Sequence, residues 1–517
     1  MSRPGRNRSG APAVGRARGL ALAIAASGLL HATPSLAAER TIHVSTRGVD
    51  SADGTTPAAA VRTLSRAFQL AAGAPSSIHV TMGRFEEPRL EPPLNAAIRG
   101  SWDLSFSKQE TFGERKLRGL HPKDDLCSAH TCLVAKDTDR TVVLSKPGVS
   151  LERLVVIGPD RSKTVGSNSF ALVVQHADAR LAEVVLQGGR AGPGRAGSTG
   201  KPGKGSCTYG VRGGWATPSD DNGIVCSVHQ ASAGRGVTAY GRTANGGVAG
   251  DAGESHCSMW GWSKNSDLDN GGDGGPGDAG IEGPAGATSA PDKGGIARDA
   301  QGQWQWLSRS VPPRGQSGSA GASGGGGGAG GSWNIVYWCL MSYVALGGSG
   351  HLGNDGGCGG EGGGGGESGG SASALLVIDA DLRTHDVVVF GGQGGPGGTG
   401  GNGEKGSPGE AYDALGNAGS SVYGCSTGPK RTAGTGGRGG SGGRGGGGGG
   451  GAGGNGGPEF AVIEVGKATI RYDGVYRIEG GVPGAGSRGG TGADSRTVAP
   501  SGVEGLSLKQ IKLDVAK

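Results

Sequence analysis

The sequence predicts an all-β molecule: a right-handed parallel β-helix interrupted by Gly-rich polyproline II segments, which one reading packs side by side as a bundle. Three observations carry that expectation. Units of about 20 residues with two β-rich stretches recur along the chain. Between them, glycine is locked to every third position. Hydrophobic residues make up only 34% of the 517, and aromatic residues 4%, too little for one large conventional core. The 115 glycines are about three times the usual share of ~7 per cent.

The units superpose directly. Phe170 to Gly189 (FALVVQHADARLAEVVLQGG), Ser373 to Gly392 (SALLVIDADLRTHDVVVFGG) and Phe460 to Gly481 (FAVIEVGKATIRYDGVYRIEGG) each read as strand, short polar turn, strand and Gly-Gly exit. Thr141 to Gly158 is a looser copy. A unit this short cannot bury its apolar face alone, so copies must stack. The clear copies start 203 and 87 residues apart, so long excursions separate them, each leaving after the Gly-Gly.

Within the excursions the phase of glycine is strict. Gly391 to Gly409 has Gly at all seven positions of period three and at only four of the twelve others. The same lock holds for Gly271 to Gly286, Gly315 to Gly330 and Gly347 to Gly365. Gly436 to Gly457 keeps it against a high Gly background, and Gly188 to Gly203 keeps it imperfectly. Period three belongs to the polyproline II helix, where every third residue lies on one edge and Gly lets neighbouring backbones approach. An intrachain bundle, a collagen-like trimer and a flexible linker all use such composition. A linker, however, has no use for register, and the blocks are short and Pro-poor for collagen.

Ahead of the first copy come Thr41 to Val44, the turn Gly48 to Thr55 with Asp50, Asp53 and Gly54, a helix expected over Ala58 to Ala72, Ile78 to Val80, Gly83, then Ile98 to Asp103 and Phe106. This order resembles the N-terminal cap of bacterial pectate-lyase-like right-handed β-helix proteins, a family of unknown function. The likeness covers residues 40–106 and implies a secreted β-helix. It carries no catalytic residue across. The chain accordingly divides into 1–37, a signal peptide; 38–187, cap and first coils; 188–370, a Gly-rich insertion with Trp and Cys; 371–392, a coil; 393–457, a second Gly-rich insertion; and 458–517, the last coil and tail.

Residues 1–37 read as an export signal: Arg3, Arg6, Arg8, Arg16 and Arg18 precede an apolar stretch from Gly19 to Leu30 and the small-x-small pattern Ser35-Leu36-Ala37. Cleavage before Ala38 would take the formal charge from +6 to +1, so the basic balance gives no reason to expect a nucleic-acid partner. The apolar stretch is short for a membrane span, and no membrane insertion is expected. All eight cysteines follow the signal, which favours disulfides in a secreted, periplasmic or cell-surface protein; Cys127 with Cys132 is the one pair suggested locally.

Four sets of side chains are candidate sites. Trp260 with Trp262, and Trp304 with Trp306, are spaced to share one face of an extended strand and stack a sugar ring. The alternative is a small core beneath the Gly-rich loops. Asp267, Asp269, Asp273 and Asp278 occupy positions of a calcium-loop pattern without its flanking helices, so Ca²⁺ is the one cofactor considered. Asp379, Asp381, Arg383 and His385, with Asp386, sit on one coil and are the best local set for a carbohydrate site, although no aligned partners are expected on neighbouring coils. No HExxH or P-loop motif occurs, and no catalytic residue is assigned. The expected role is an exported, non-enzymatic structural or interaction protein of the envelope or matrix, with a polysaccharide or envelope protein as partner. A carbohydrate-active β-helix and an ice- or surface-binding protein are the alternatives.

Overall fold

The computed structural model describes residues 39–208 apart from Lys123, then 275–287, 313–326, 348–411 and 433–513, with short segments between them. Two parallel sheets are built from strands whose apolar side chains alternate inward. The first sheet runs in the order β1 (Arg40–Val44), β2 (Ser76–Thr81), β4 (Ala96–Trp102), β7 (Val149–Ile157), β9 (Asp178–Gln187), β11 (Asp381–Phe390) and β13 (Thr469–Glu479). Beside this path, β3 (Gly83–Glu87) pairs with β5 (Thr131–Ala135), which pairs with β7. The second sheet is β6 (Arg140–Leu144), β8 (Ser169–Gln175), β10 (Ala372–Ile378), β12 (Glu459–Val465) and β14 (Ser507–Leu513). The chain alternates between them, so β8 and β9, β10 and β11, and β12 and β13 form successive coils. Their register pairs Ser373 with both Phe170 and Phe460, as the superposed units require.

Each long strand of the first sheet bends once. Arg153, Glu183, Asp386 and Gly474 have φ of 56°, 51°, 57° and 68°, a left-handed corner repeated coil after coil. The corner divides the sheet into two arms. Leu151, Leu181 and Leu382 on one arm, and Leu154, Val184 and Val387 on the other, point into a continuous core with Leu172, Leu375 and Val462 of the second sheet. Outside the second arm, Val155, Val185, Val388 and Phe390 are covered by Phe112, Leu117, Leu120 and Leu126 around helix α2 (Glu114–Gly119). The Cys127–Cys132 disulfide, with Cα atoms 5.3 Å apart, closes that covering segment.

The helix expected over Ala58 to Ala72 is shorter. A single 3-10 turn, Pro57–Ala59, precedes α1 (Leu64–Ala71). The Asp50 carboxylate accepts from the backbone N–H groups of Arg62 and Thr63, and the Thr63 hydroxyl caps α1 by accepting from Arg66 N–H at 3.1 Å. Those bonds hold residues 60–63 extended, with Val61 bridging Val44. Leu64, Ala67, Phe68 and Ala71 close the first end of the core.

Among the described residues, eight extended Gly-rich runs lie between the coils: run 1 (188–205), run 2 (275–286), run 3 (315–325), run 4 (348–370), run 5 (391–410), run 6 (436–457), run 7 (481–491) and run 8 (499–505). None joins the two main sheets beyond an initial bridge at Arg190, Gln393 and Val482. They bond to one another at every third residue. Gly194, Gly197, Gly200 and Gly203 of run 1 donate to Pro396, Thr399, Asn402 and Lys405 of run 5, in parallel. Gly395, Gly398 and Gly401 of run 5 donate to Gly370, Glu367 and Gly364 of run 4, antiparallel. A second disulfide, Cys207–Cys358, ties the chain just beyond run 1 to run 4. The described residues from Glu39 onward belong to one compact unit.

Run 6 explains why Gly frequency varies. It has three edges, each facing a different groove. Gly445, Gly448, Gly451 and Gly454 donate to run 5, and a Cβ on any of them would overlap a carbonyl of run 4. Gly443, Gly446 and Gly449 donate to run 3, with carbonyls of run 2 against them. On the third edge, Gly453 and Gly456 donate to run 8, with run 7 against them. That edge reads Arg438, Ser441, Arg444, then Gly447, Gly450, Gly453 and Gly456. Runs 7 and 8 end in a turn near Ala493, so Gly begins where a neighbour begins. Likewise Ala452 and Asn455 replace Gly on the second edge beyond the ends of runs 2 and 3, whose last bonded partners are Gly450 and Gly449.

Candidate functional site

The outer face of the first arm carries most of the charged side chains that the coils place in register. Parallel pairing stacks Asp178 on Asp381, Arg180 on Arg383 and Arg471, and Ala182 on His385 and Asp473. This overturns the expectation that nothing on neighbouring coils aligns with the Asp379 set. The superposed units already held the match, since Asp178 and Arg180 occupy the same places in their unit as Asp381 and Arg383. The column through His385 continues toward the first end as Glu152, Arg99, His79 and His43.

The four residues take different roles in this lane. Asp379 lies at a second left-handed corner (φ 45°), where its carboxylate accepts from Lys467 N–H at 2.9 Å. Asp381 is paired with Arg471 at 3.2 Å, and its other oxygen is buried without a partner. His385 stands between Asp473 at 3.2 Å and Asp386 at 3.5 Å. Arg383 is exposed and, like Arg180, has no ion-pair partner among the described residues. Strands ~4.8 Å apart bring these guanidinium groups close enough to repel one another. The lane is therefore a tethered polar surface with two free cations, able to hold anionic or hydroxyl-rich groups. Asp379, Asp381, Asp386 and Asp473 each bond a neighbour through one carboxylate oxygen.

At the first end, His79 stacks on Trp102 with ring centroids 4.7 Å apart, and His43 meets the Phe106 edge at 4.8 Å. Burial, helped by the charges of His43 and Arg99, lowers the His79 pKa to about 4, so it is neutral near pH 7. Behind the corner, His130 contacts Ser101 Oγ at 3.2 Å and accepts from Lys116 Nζ at 2.9 Å. Burial and Lys116 lower its pKa to about 4 as well. Ser101 donates to the Arg153 carbonyl at 2.6 Å and is fully buried, so this Ser–His contact is internal packing.

Of the tryptophans, Trp304 and Trp306 lie in a strand, Trp304–Leu307, paired antiparallel with Gly295–Arg298. Trp260 and Trp262 fall outside the described residues, as do Asp267, Asp269 and Asp273. Asp278 lies in run 2, where its carbonyl accepts from Ala322 N–H at 3.0 Å. Among the described residues no cluster of three or more His, Cys, Asp or Glu is placed to hold a metal ion. No helix among them is long and apolar enough to cross a membrane.

Two features were not anticipated from the sequence. One is the Cys207–Cys358 pair, since the spacing of the cysteines does not encode which runs become neighbours. The other is Glu459, fully buried at the start of β12, in a position where the stacked coils carry Ser169, Ala372 and Ser507. That odd carboxylate among small residues was visible in the aligned units. No protein-family model, curated protein or solved structure matches the chain.

Proposed function

We propose that this is an exported, non-enzymatic structural or interaction protein of the bacterial envelope or matrix. In this reading the two sheets are faces of a right-handed parallel β-helix, and the eight runs are polyproline II helices packed as a bundle. The observation that carries it is the match between Gly edges and neighbouring runs: the interior between the runs is made of backbone, and its hydrogen bonds hold those runs together. Two disulfides and the absence of a membrane-spanning helix among the described residues are compatible with life outside the cytosol.

The test uses oxidised protein starting at Ala38, incubated with pectin, alginate and calcium. Ultraviolet absorbance and co-sedimentation are recorded from the same tubes. No unsaturated product is expected. Product that disappears in an Asp379→Ala, Arg383→Ala double variant would replace this reading with that of a lyase.

Arg180 and Arg383 favour a second reading, a glycan-binding face on the first arm. Co-sedimentation without product, lost in Arg180→Ala plus Arg383→Ala, would support it. An ice- or surface-binding role rests on the exposed edges of runs 1, 5 and 7, where Arg190, Gln393 and Val482 begin registered rows. Absence of thermal hysteresis in the purified protein would remove it.

A further inference from the structure

Each Gly edge of the bundle sits in a groove between two runs, one taking its N–H groups and the other crowding its missing side chains. Two edges break that rule. On run 4, Cβ atoms on Gly353, Gly356, Gly359 and Gly362 would overlap the carbonyls of Gly324, Gly321, Gly318 and Gly315 in run 3. Yet the N–H groups of Gly359, Gly362 and Gly365 reach no acceptor among the described residues. The other two edges of run 4 are fully used: Gly360, Gly363 and Gly366 donate to run 6, and Glu361, Gly364 and Glu367 to run 1. Among the described glycines of the open edge, Gly356 is answered. The Thr208 hydroxyl accepts from its N–H at 3.0 Å and donates to Gly321 O at 2.8 Å, so an oxygen fits this groove.

Run 7 has the same defect. Cβ atoms on Gly486 and Gly489 would overlap carbonyls of Gly502 and Ala499 in run 8, and their N–H groups also reach no acceptor among the described residues. Run 5 separates the two open edges, since Gly395, Gly398 and Gly401 donate to run 4 while Gly394, Gly397 and Gly400 donate to run 7. The half-filled grooves therefore lie on opposite flanks.

We propose that these flanks are the two halves of a self-association interface, in which runs 7 and 8 of a second copy of this chain lie along runs 3 and 4. The proposal rests on the bundle reading above. A polyproline II neighbour offers carbonyls every ~9.3 Å, the spacing of the open N–H groups. Charge agrees with the choice of occupant: Glu361 and Glu367 border the first groove, each loosely held at its edge by one Arg (Arg314 at 3.4 Å and Arg195 at 3.9 Å), while exposed Arg488 borders the second with no ion-pair partner among the described residues. Because the two halves differ, the contact is head-to-tail and propagates into rows of molecules instead of closing as a dimer. Such rows would suit a matrix component.

Sedimentation velocity of the oxidised chain from Ala38, over a concentration series, tests this. Association beyond a dimer is expected. Arg488→Glu should weaken it about tenfold, and mixing that variant with Glu367→Arg copies should recover part of the loss. Among the described residues Arg488 has no side-chain partner to lose, so the variant should keep the wild-type circular dichroism. A monomer at every concentration, association indifferent to Arg488→Glu, or a foreign Gly-rich chain bound to a monomer would each overturn the proposal. A monomer that retains the polyproline II dichroism leaves the bundle reading standing; loss of that signal from the wild type removes the bundle itself.

Discussion

Glu459 is buried where runs 6 and 8 enter the second sheet and run 7 leaves the first. Its Oε2 accepts from Gly481 N–H at 2.7 Å and from Ser507 Oγ at 3.0 Å, while Oε1 has no partner. Burial raises its pKa from 4.5 to about 7, the hydrogen bonds opposing it only in part. Between those values the folded chain keeps a proton that the unfolded chain releases. Its stabilising effect is therefore complete below about pH 4.5 and is lost as pH rises through about 7. The loss should be on the order of 3 kcal/mol. Melting temperatures measured across that window should fall for the wild type, whereas Glu459→Gln should flatten this contribution; identical curves would discount the assignment. The sequence displayed this Glu in a column of Ser and Ala, but only stacking reveals that the column is interior.

Among the elements, the runs make the sharpest prediction, because residue identity along run 6 tracks its neighbours. Gly450→Ala should cost at least about 3 kcal/mol, since the new Cβ meets the Gly490 carbonyl and neither backbone can yield without breaking its own bonds. Arg444→Ala lies six residues earlier on the same edge, before runs 7 and 8 begin, and should change stability by no more than about 0.5 kcal/mol. Denaturant midpoints of the two variants check the contrast; equal effects would mean that the edge assignment is wrong. The Cys207–Cys358 bond closes a loop of 151 residues, so its removal by Cys207→Ser plus Cys358→Ser should cost about 5 kcal/mol by chain entropy. Hydrogen exchange should then quicken first at Gly203 and Gly360, near that staple. Period-three Gly announced these runs in the sequence, and the dense Gly background of run 6 was itself a signal: three Gly edges mark a run surrounded on every side.

For the molecule as a whole, the connection between coils and runs sets cooperativity. Runs 1 and 4 lead out of β9 and back into β10, runs 5 and 6 link β11 to β12, and runs 7 and 8 link β13 to β14. A coil cannot stack unless its pair of runs is returned to the sheet, and the runs cannot pack unless the coils hold their roots together. The dichroism of the sheets and that of the extended runs should therefore disappear in one transition on heating. Two separated transitions would show that the runs melt independently. This coupling also gives the Gly-rich share of the chain an ordering force, offsetting the large backbone entropy that glycine loses.

Local periodicity determined much of this protein in advance. Alternation and the Gly-Gly exits defined the coils, and even the alignment of Arg180 with Arg383 was present in the superposed units. The Gly phase identified which segments approach other backbones, because that requirement acts residue by residue. Which run lies beside which was decided only in three dimensions. A Gly edge accepts any extended backbone, so its partner is chosen by where the coils root each run, by the staple at Cys207 and by the order in which runs fill the grooves. The same freedom leaves the edges of runs 4 and 7 half-filled among the described residues, since glycine records that a neighbour is tolerated and tertiary packing supplies it.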